Sequence, residues 1–295
     1  MKELLPFVAM VTCFNEQEEI DYAAVRRQVR RQIDAGNNLL VNGTNGDFTS
    51  LTFPEKIKLC AEVLDEVQGK VKVFVNAGCP STYETILLGK EFVSLGVDAL
   101  AIITPYFIGC TQDGLFGHFS RVADAMQKPT YLYDIPARTQ NHIEPETAAK
   151  LADHPNIHGI KDSGGSQKTL DEYLAIARGR DDFDVFTGPD SLIHYGLTQG
   201  AKGCISGLGN VMPHVVNGIC KEYEKGDIAA SVAQQEIFTA FRTDLYALGY
   251  APAMVKRSLY LMDKSVGASR QPALIPTPEL DAKIKALLIK HNIIG

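Results

Sequence analysis

The residues of this chain best suited to chemistry are a lysine, a tyrosine, a glycine-rich turn and an arginine. Lys161 closes the apolar run Ile157-His158-Gly159-Ile160. Burial at such a position would disfavour the ammonium form and free a lone pair for attack on a ketone. Tyr133 ends a similar run 28 residues earlier. A phenol beside a reactive amine can shuttle the protons of carbinolamine formation and breakdown. Gly43-Thr44-Asn45-Gly46 is a turn whose backbone N–H groups could cradle a carboxylate, with the Thr44 hydroxyl as a further donor. Arg138 could clamp a second carboxylate or polar tail bidentately. Taken singly, each has a plain alternative: a lysine reaching solvent, a satisfied core tyrosine, an ordinary βα turn, a surface arginine.

Other chemistries are less well served. The seven histidines show no metal-ligand spacing, and the six cysteines lie 16 to 94 residues apart without a C-x-x-C pair. Neither a metal centre nor a disulfide framework is expected. The cysteines read as reduced core residues, which suits the cytoplasm. No G-x-S-x-G elbow is present, which argues against a serine hydrolase. Gly207-Leu208-Gly209-Asn210 could hold a phosphate or be a bare tight turn. With 29 Lys+Arg against 35 Asp+Glu the net charge is −6, and this dispersed, mildly acidic balance leaves no footprint for nucleic acid. The opening Met-Lys-Glu-Leu-Leu-Pro has no apolar core of the kind a secretory leader needs. No apolar run approaches the ~18 residues that cross a bilayer.

Something must hold these side chains together, and the apolar pattern predicts what. Strands are expected at Pro6–Thr12, Leu39–Gly43, Val71–Asn76, Ala99–Thr104, Thr130–Asp134, Ile157–Lys161, Asp184–Thr187 and Gly203–Ser206. Helical spacing fills the segments between them, with Pro54 and Pro145 at expected first turns and Gly36 and Gly96 at expected ends. Near-continuous apolar strands recurring every ~20–30 residues fit βα units covered on both faces. A doubly wound sheet is the rival, but no G-x-G-x-x-G follows the first strand. Eight such units predict an α/β fold of the (β/α)8 TIM barrel type, whose chemistry lies at the C-terminal ends of its strands. Residues 1–225 are assigned to the barrel and 226–295 to a C-terminal helical extension, with Gln271–Pro278 as an extended linker.

Read in order, GTNGD, TPYF, YDIPART, GIKDSGG and GPDS stand after strands two, four, five, six and seven. This series resembles the dihydrodipicolinate synthase / N-acetylneuraminate lyase family of pyruvate-dependent class I aldolases, over nearly the whole chain. The resemblance implies a homotetramer built as a dimer of dimers, acting on a small 2-oxo acid with no metal or organic cofactor. It implies that Lys161 forms the Schiff base with pyruvate, that Tyr133 is the acid/base positioned by Thr44, and that Thr44 and Asn45 bind the pyruvate carboxylate. Arg138, Ser206, Gly188, Tyr106 and Phe107 are the further candidates for substrate contact.

Two departures shape the expected reaction. The synthase branch has Gly-Thr-Thr-Gly-Glu where this chain has Asn45 and Asp47. Its proton relay also borrows a tyrosine from a neighbouring subunit, and the matching residue here is Phe107, without a hydroxyl. Arg138, which matches the arginine for the aldehyde's carboxylate, pulls the other way. The expectation is a cytoplasmic lyase cleaving a 2-keto-3-deoxy sugar acid, or related 2-oxo acid, to pyruvate and an aldehyde. The alternatives are 4-hydroxy-tetrahydrodipicolinate synthase, a 2-keto-3-deoxy acid dehydratase and, outside catalysis, a 2-oxo acid binding barrel.

Overall fold

A computed structural model describes residues 3–295. Met1 and Lys2, with which the segment read against a leader begins, lie outside the described residues. The strands are β1 (Leu5–Ala9), β2 (Asn38–Val41), β3 (Val73–Asn76), β4 (Ala99–Ile103), β5 (Thr130–Asp134), β6 (Ile157–Asp162), β7 (Asp184–Thr187) and β8 (Gly203–Ser206). They are parallel and close in sequence order, β8 pairing with β1 at Leu5↔Gly203. The helices of the first half are α1 (Tyr22–Asp34), α2 (Phe53–Val67), α3 (Thr82–Leu95), α4 (Gln112–Met126), α5 (Pro136–Thr139) and α6 (Pro145–Ala152). The second half adds α7 (Gln167–Ala177), α8 (Ile193–Thr198), α9 (Pro213–Lys225), α10 (Ile228–Tyr246), α11 (Ala251–Met262) and α12 (Pro278–Lys290). The chain is a (β/α)8 barrel with a C-terminal helical part.

Alternation along the strands makes two cores. Leu5, Phe7 and Ala9 of β1 point inward and meet Leu40, Phe74, Tyr131, Phe186 and Ile205. Phe74 stacks on Tyr131 at 4.8 Å between ring centroids, so the barrel interior is packed and not a pore. Intervening residues such as Val8, Leu39 and Leu132 face outward into a larger core shared with the helices. Phe238, Phe241 and Leu245 of α10 belong to that same outer core, which seats the C-terminal helices directly on the barrel. A Cβ at Gly159 would lie 2.1 Å from the Asp184 carbonyl oxygen and 2.9 Å from the Tyr131 ring. Only glycine lets β6 approach β7 and the Tyr131 ring this closely.

The first strand is shorter than its apolar run. β1 stops at Ala9, because the Val11 amide bonds to the Asn210 side chain (3.1 Å) and the Thr12 hydroxyl to the Gly46 carbonyl (2.6 Å), not to a neighbouring strand. β2 ends before Asn42, whose φ of 56° leaves the extended region. These exits aim the following turns at the barrel mouth. No helix among the described residues is long and apolar enough to cross a membrane.

Candidate active site

Tyr133 and Lys161 are partners in the β5–β6 register, two residues beyond Tyr131 and Gly159. Both side chains therefore point inward, one layer nearer the strand ends. Lys161 is only 3% exposed, and its amine stands 4.0 Å from the centroid of the Tyr133 ring. The Tyr133 hydroxyl in turn lies 3.0 Å from Thr44 Oγ1. Thr44 opens a single 3₁₀ turn, Thr44–Gly46, directly after β2. The first amides of such a turn lack intrahelical acceptors. Among the described residues neither the Thr44 nor the Asn45 amide finds one. An amine, a phenol, a hydroxyl and two free amides thus converge on one cavity of about 210 Å³.

Asn45 and Asp47, the two departures in the turn, each have a structural partner. The Asn45 side chain packs on Gly207 after β8, where a Cβ would lie 2.7 Å from Asn45 Nδ2. Asp47 caps the turn in a left-handed conformation (φ 54°) and accepts from Lys256 of α11 at 2.8 Å. Burial pulls the Lys256 ammonium down while Asp47 supports its charge. α11 therefore holds the turn that carries Thr44 and Asn45 in place.

Other expected contacts are distributed differently. Gly188 lines the cavity, and its amide donates to the Asp162 carbonyl at 2.7 Å; a Cβ there would collide with Ser163 Oγ at 2.2 Å. Arg138 lines the cavity too, exposed, with its guanidinium 4.6 Å from the Tyr250 ring. Ser206 does not line it. Ile205 faces inward, so Ser206 faces outward, donating to Asp190 at 2.5 Å and accepting from the Gly209 amide at 2.9 Å. Tyr106 lines an adjoining cavity with Thr44 and Arg138, its ring edge-on to Phe48 at 5.7 Å, and burial pushes its phenol up to about 12. Phe107 lines neither cavity: it is 88% exposed with φ 77°.

The chain also brings in residues that the sequence motifs did not assign. Asp190, Arg242, Tyr246 and Pro252 complete the cavity wall. Asp190 accepts from Ser206, from the Leu208 amide (3.2 Å) and from Tyr246 (3.1 Å), and burial holds its carboxyl above the ordinary range. Arg242 and Tyr246 stand four residues apart on α10, a spacing that shares one face. Only that periodicity could have marked them.

Behind Lys161 and Tyr133, alternation turns Asp134 and Asp162 outward. Asp134 accepts from His142 (2.9 Å), the Ile143 amide (3.0 Å) and Tyr173 (3.2 Å). Asp162 has one oxygen on the Gly164 amide and the other buried without a partner, and burial pushes its carboxyl up to about 7. Its folded value thus lies above the unfolded one, so the folded state holds a proton that the unfolded chain releases near pH 4. This contribution favours folding below about pH 4 and is lost as pH rises towards about 7. Asp162→Asn should flatten that decline, read as denaturant midpoints from pH 4 to 8. An unchanged pH slope would show that Asp162 ionises freely.

No cluster of three or more His, Cys, Asp or Glu that could hold a metal occurs among the described residues. The model of the Dihydrodipicolinate synthetase family matches residues 5–291. The chain is 33% identical over 288 residues to a 4-hydroxy-tetrahydrodipicolinate synthase of Trichlorobacter lovleyi, covering 97% of this chain and 98% of that one. Among solved structures, a dihydrodipicolinate synthase from Thermotoga maritima superposes with a TM-score of 0.93 at 30% identity, each chain fully covered. A prophage protein of the same family from E. coli K12, solved in complex with pyruvate, gives 0.93 at 26% identity over 98% of this chain and 99% of that one.

Proposed function

The chain belongs to the dihydrodipicolinate synthetase family, and from that membership and the cavity geometry we propose that it joins pyruvate to aspartate semialdehyde through an imine on Lys161. As a pyruvate-dependent class I aldolase it is a carbon–carbon lyase. The observation that carries the reading is the chain from the Lys161 amine, over the Tyr133 ring at 4.0 Å, to the Thr44 hydroxyl at 3.0 Å.

The steps follow from that arrangement. The pyruvate carboxylate accepts from the Thr44 and Asn45 amides, which brings C2 to the Lys161 amine. Nitrogen attacks C2, and one proton passes from nitrogen to oxygen through Tyr133 to give the carbinolamine. A second proton delivered the same way lets the oxygen leave as water and leaves the iminium. The iminium acidifies C3, which loses a proton to give an enamine. The enamine carbon attacks the aldehyde carbon, and the new alkoxide is protonated. The substrate's own amine then adds to C2 and displaces Lys161, which closes the ring and frees the enzyme. In the cleavage direction the C3–C4 bond breaks instead, and water releases pyruvate.

This order reverses the one the motifs favoured. Support for the synthase outcome comes from the name borne by the Trichlorobacter lovleyi relative and from Arg138, a guanidinium with no ion pair among the described residues. One observation favours cleavage of a 2-keto-3-deoxy sugar acid: Phe107 offers no hydroxyl where the synthase relay has one. Coupled assays of both reactions test the choice. The synthase reaction is expected at kcat/KM of ~10⁴ M⁻¹s⁻¹ or above, with 2-keto-3-deoxygluconate cleaved more slowly. Phe107→Tyr should raise the synthase-to-cleavage ratio about five- to thirtyfold, the worth of one restored hydrogen bond. Cleavage without condensation would make the lyase of sugar acids the right reading.

The homotetramer and the cytoplasmic setting are proposed on the same footing. Phe107 and Ile108, 88% and 67% exposed, give a second copy apolar surface to cover, and solution mass at working concentration tests that.

A further inference from the structure

The steps above give Arg242 no task, yet it is placed for one. It comes from α10 and lines the same cavity as Lys161. Its Nε is buried without a hydrogen-bond partner, and it makes no ion pair among the described residues; the Tyr246 ring lies 5.0 Å from the guanidinium carbon. A buried donor left unfilled is costly, and a ligand that fills it recovers that cost.

The charges around the cavity say which ligand. Three cations line it, Lys161, Arg138 and Arg242, against a single acid, Asp190. Asp190 already accepts from Ser206, the Leu208 amide and Tyr246, which leaves little of it to neutralise Arg242. Arg138 reaches the cavity from the short helix after β5 and Arg242 from α10, so the two guanidiniums enter it on different elements. The carboxylate next to the keto group is held by the Thr44 and Asn45 amides, so neither arginine is needed there. A planar fork with free donors fits a second carboxylate, bound bidentately.

We propose that Arg242 binds a carboxylate at the distal end of the substrate and so selects 2-oxo acids and aldehydes that carry a second acidic group. The proposal rests on the imine reading for Lys161 but not on which aldehyde is used. The test compares 2-oxoadipate with 2-oxohexanoate, of equal chain length but without the distal carboxylate, and with pyruvate. Binding is read by titration calorimetry and imine formation by borohydride trapping with intact mass. The unmutated protein is expected to bind 2-oxoadipate more tightly than 2-oxohexanoate. Arg242→Gln should weaken 2-oxoadipate about tenfold or more, the scale of a charge-assisted contact, and leave the other two unchanged. Arg242→Lys should recover part of that loss, since it keeps the charge without the fork. Equal weakening of all three ligands would make Arg242 a structural support of Asp190 and overturn the proposal, as would no change in any. Absence of every borohydride adduct would remove the imine reading alone, because the calorimetric comparison still decides on Arg242.

Discussion

Lys161→Arg is expected to give a folded barrel with no measurable turnover and no pyruvate adduct after borohydride reduction. Arginine keeps the positive charge and much of the length, but its guanidinium does not deprotonate and cannot act as the amine nucleophile. Three lysines are buried among the described residues: Lys56, Lys161 and Lys256. Lys256 is held in an ion pair with Asp47 at 2.8 Å, and Lys56 lies over the Phe48 ring, away from the cavity that Lys161 lines. Among the described residues no other buried amine lines that cavity. Intact mass after reduction with pyruvate, followed by peptide mapping, checks both halves of the expectation. An adduct that survives the substitution, or activity above a trace, would move the nucleophile elsewhere.

Tyr133→Phe is expected to lower kcat by about 10²–10⁴-fold while pyruvate still forms its adduct, more slowly. The ring beneath the Lys161 amine survives this change, so the nucleophile keeps its place. What disappears is the hydroxyl, and with it the 3.0 Å contact to Thr44. Thr44→Val removes the other end of the same contact but leaves the phenol, so its loss should be smaller. Steady-state rates for the two variants, with trapping of pyruvate in each, separate proton transfer from binding. A rise in KM at unchanged kcat for Tyr133→Phe would make the phenol a binding group.

How far these residues could be read from the sequence depends on which kind of element carries them. Lys161 and Tyr133 were legible because each closes an apolar run, and in a parallel barrel the C-terminal end of a strand is where side chains meet a ligand. The barrel was legible for the same reason, eight such runs punctuated by Gly and Pro. Strand ends were less so: Val11 and Thr12 continue the apolar pattern of β1, but their partners are Asn210 and Gly46, 199 and 34 residues away. Ser206 ends β8, which points it at the substrate in the sequence pattern, but its neighbour Ile205 takes the inward position and turns it away. No sequence motif marks Arg242. A helix shows in its sequence which residues share a face, but the surface that face meets is set by packing, here against a barrel built some 40 to 240 residues earlier. The local pattern also shows Phe107 to lie beside Tyr106, but not that φ of 77° turns it out into solvent.

The closing pair of the barrel sets the order of events when the chain is made. β1 has two neighbours, and one of them, β8, begins at Gly203, 198 residues after Leu5. Until those residues exist, one edge of β1 has no strand to bond to, and its inward side chains Leu5, Phe7 and Ala9 have only part of their core. At ribosomal rates the wait is roughly 10–40 s, far longer than collapse of the finished chain takes. An open apolar edge held for that time is a place for another nascent chain to pair. The first strand of the barrel is therefore the last to be completed, and its five residues, Leu5–Ala9, need shelter until β8 emerges.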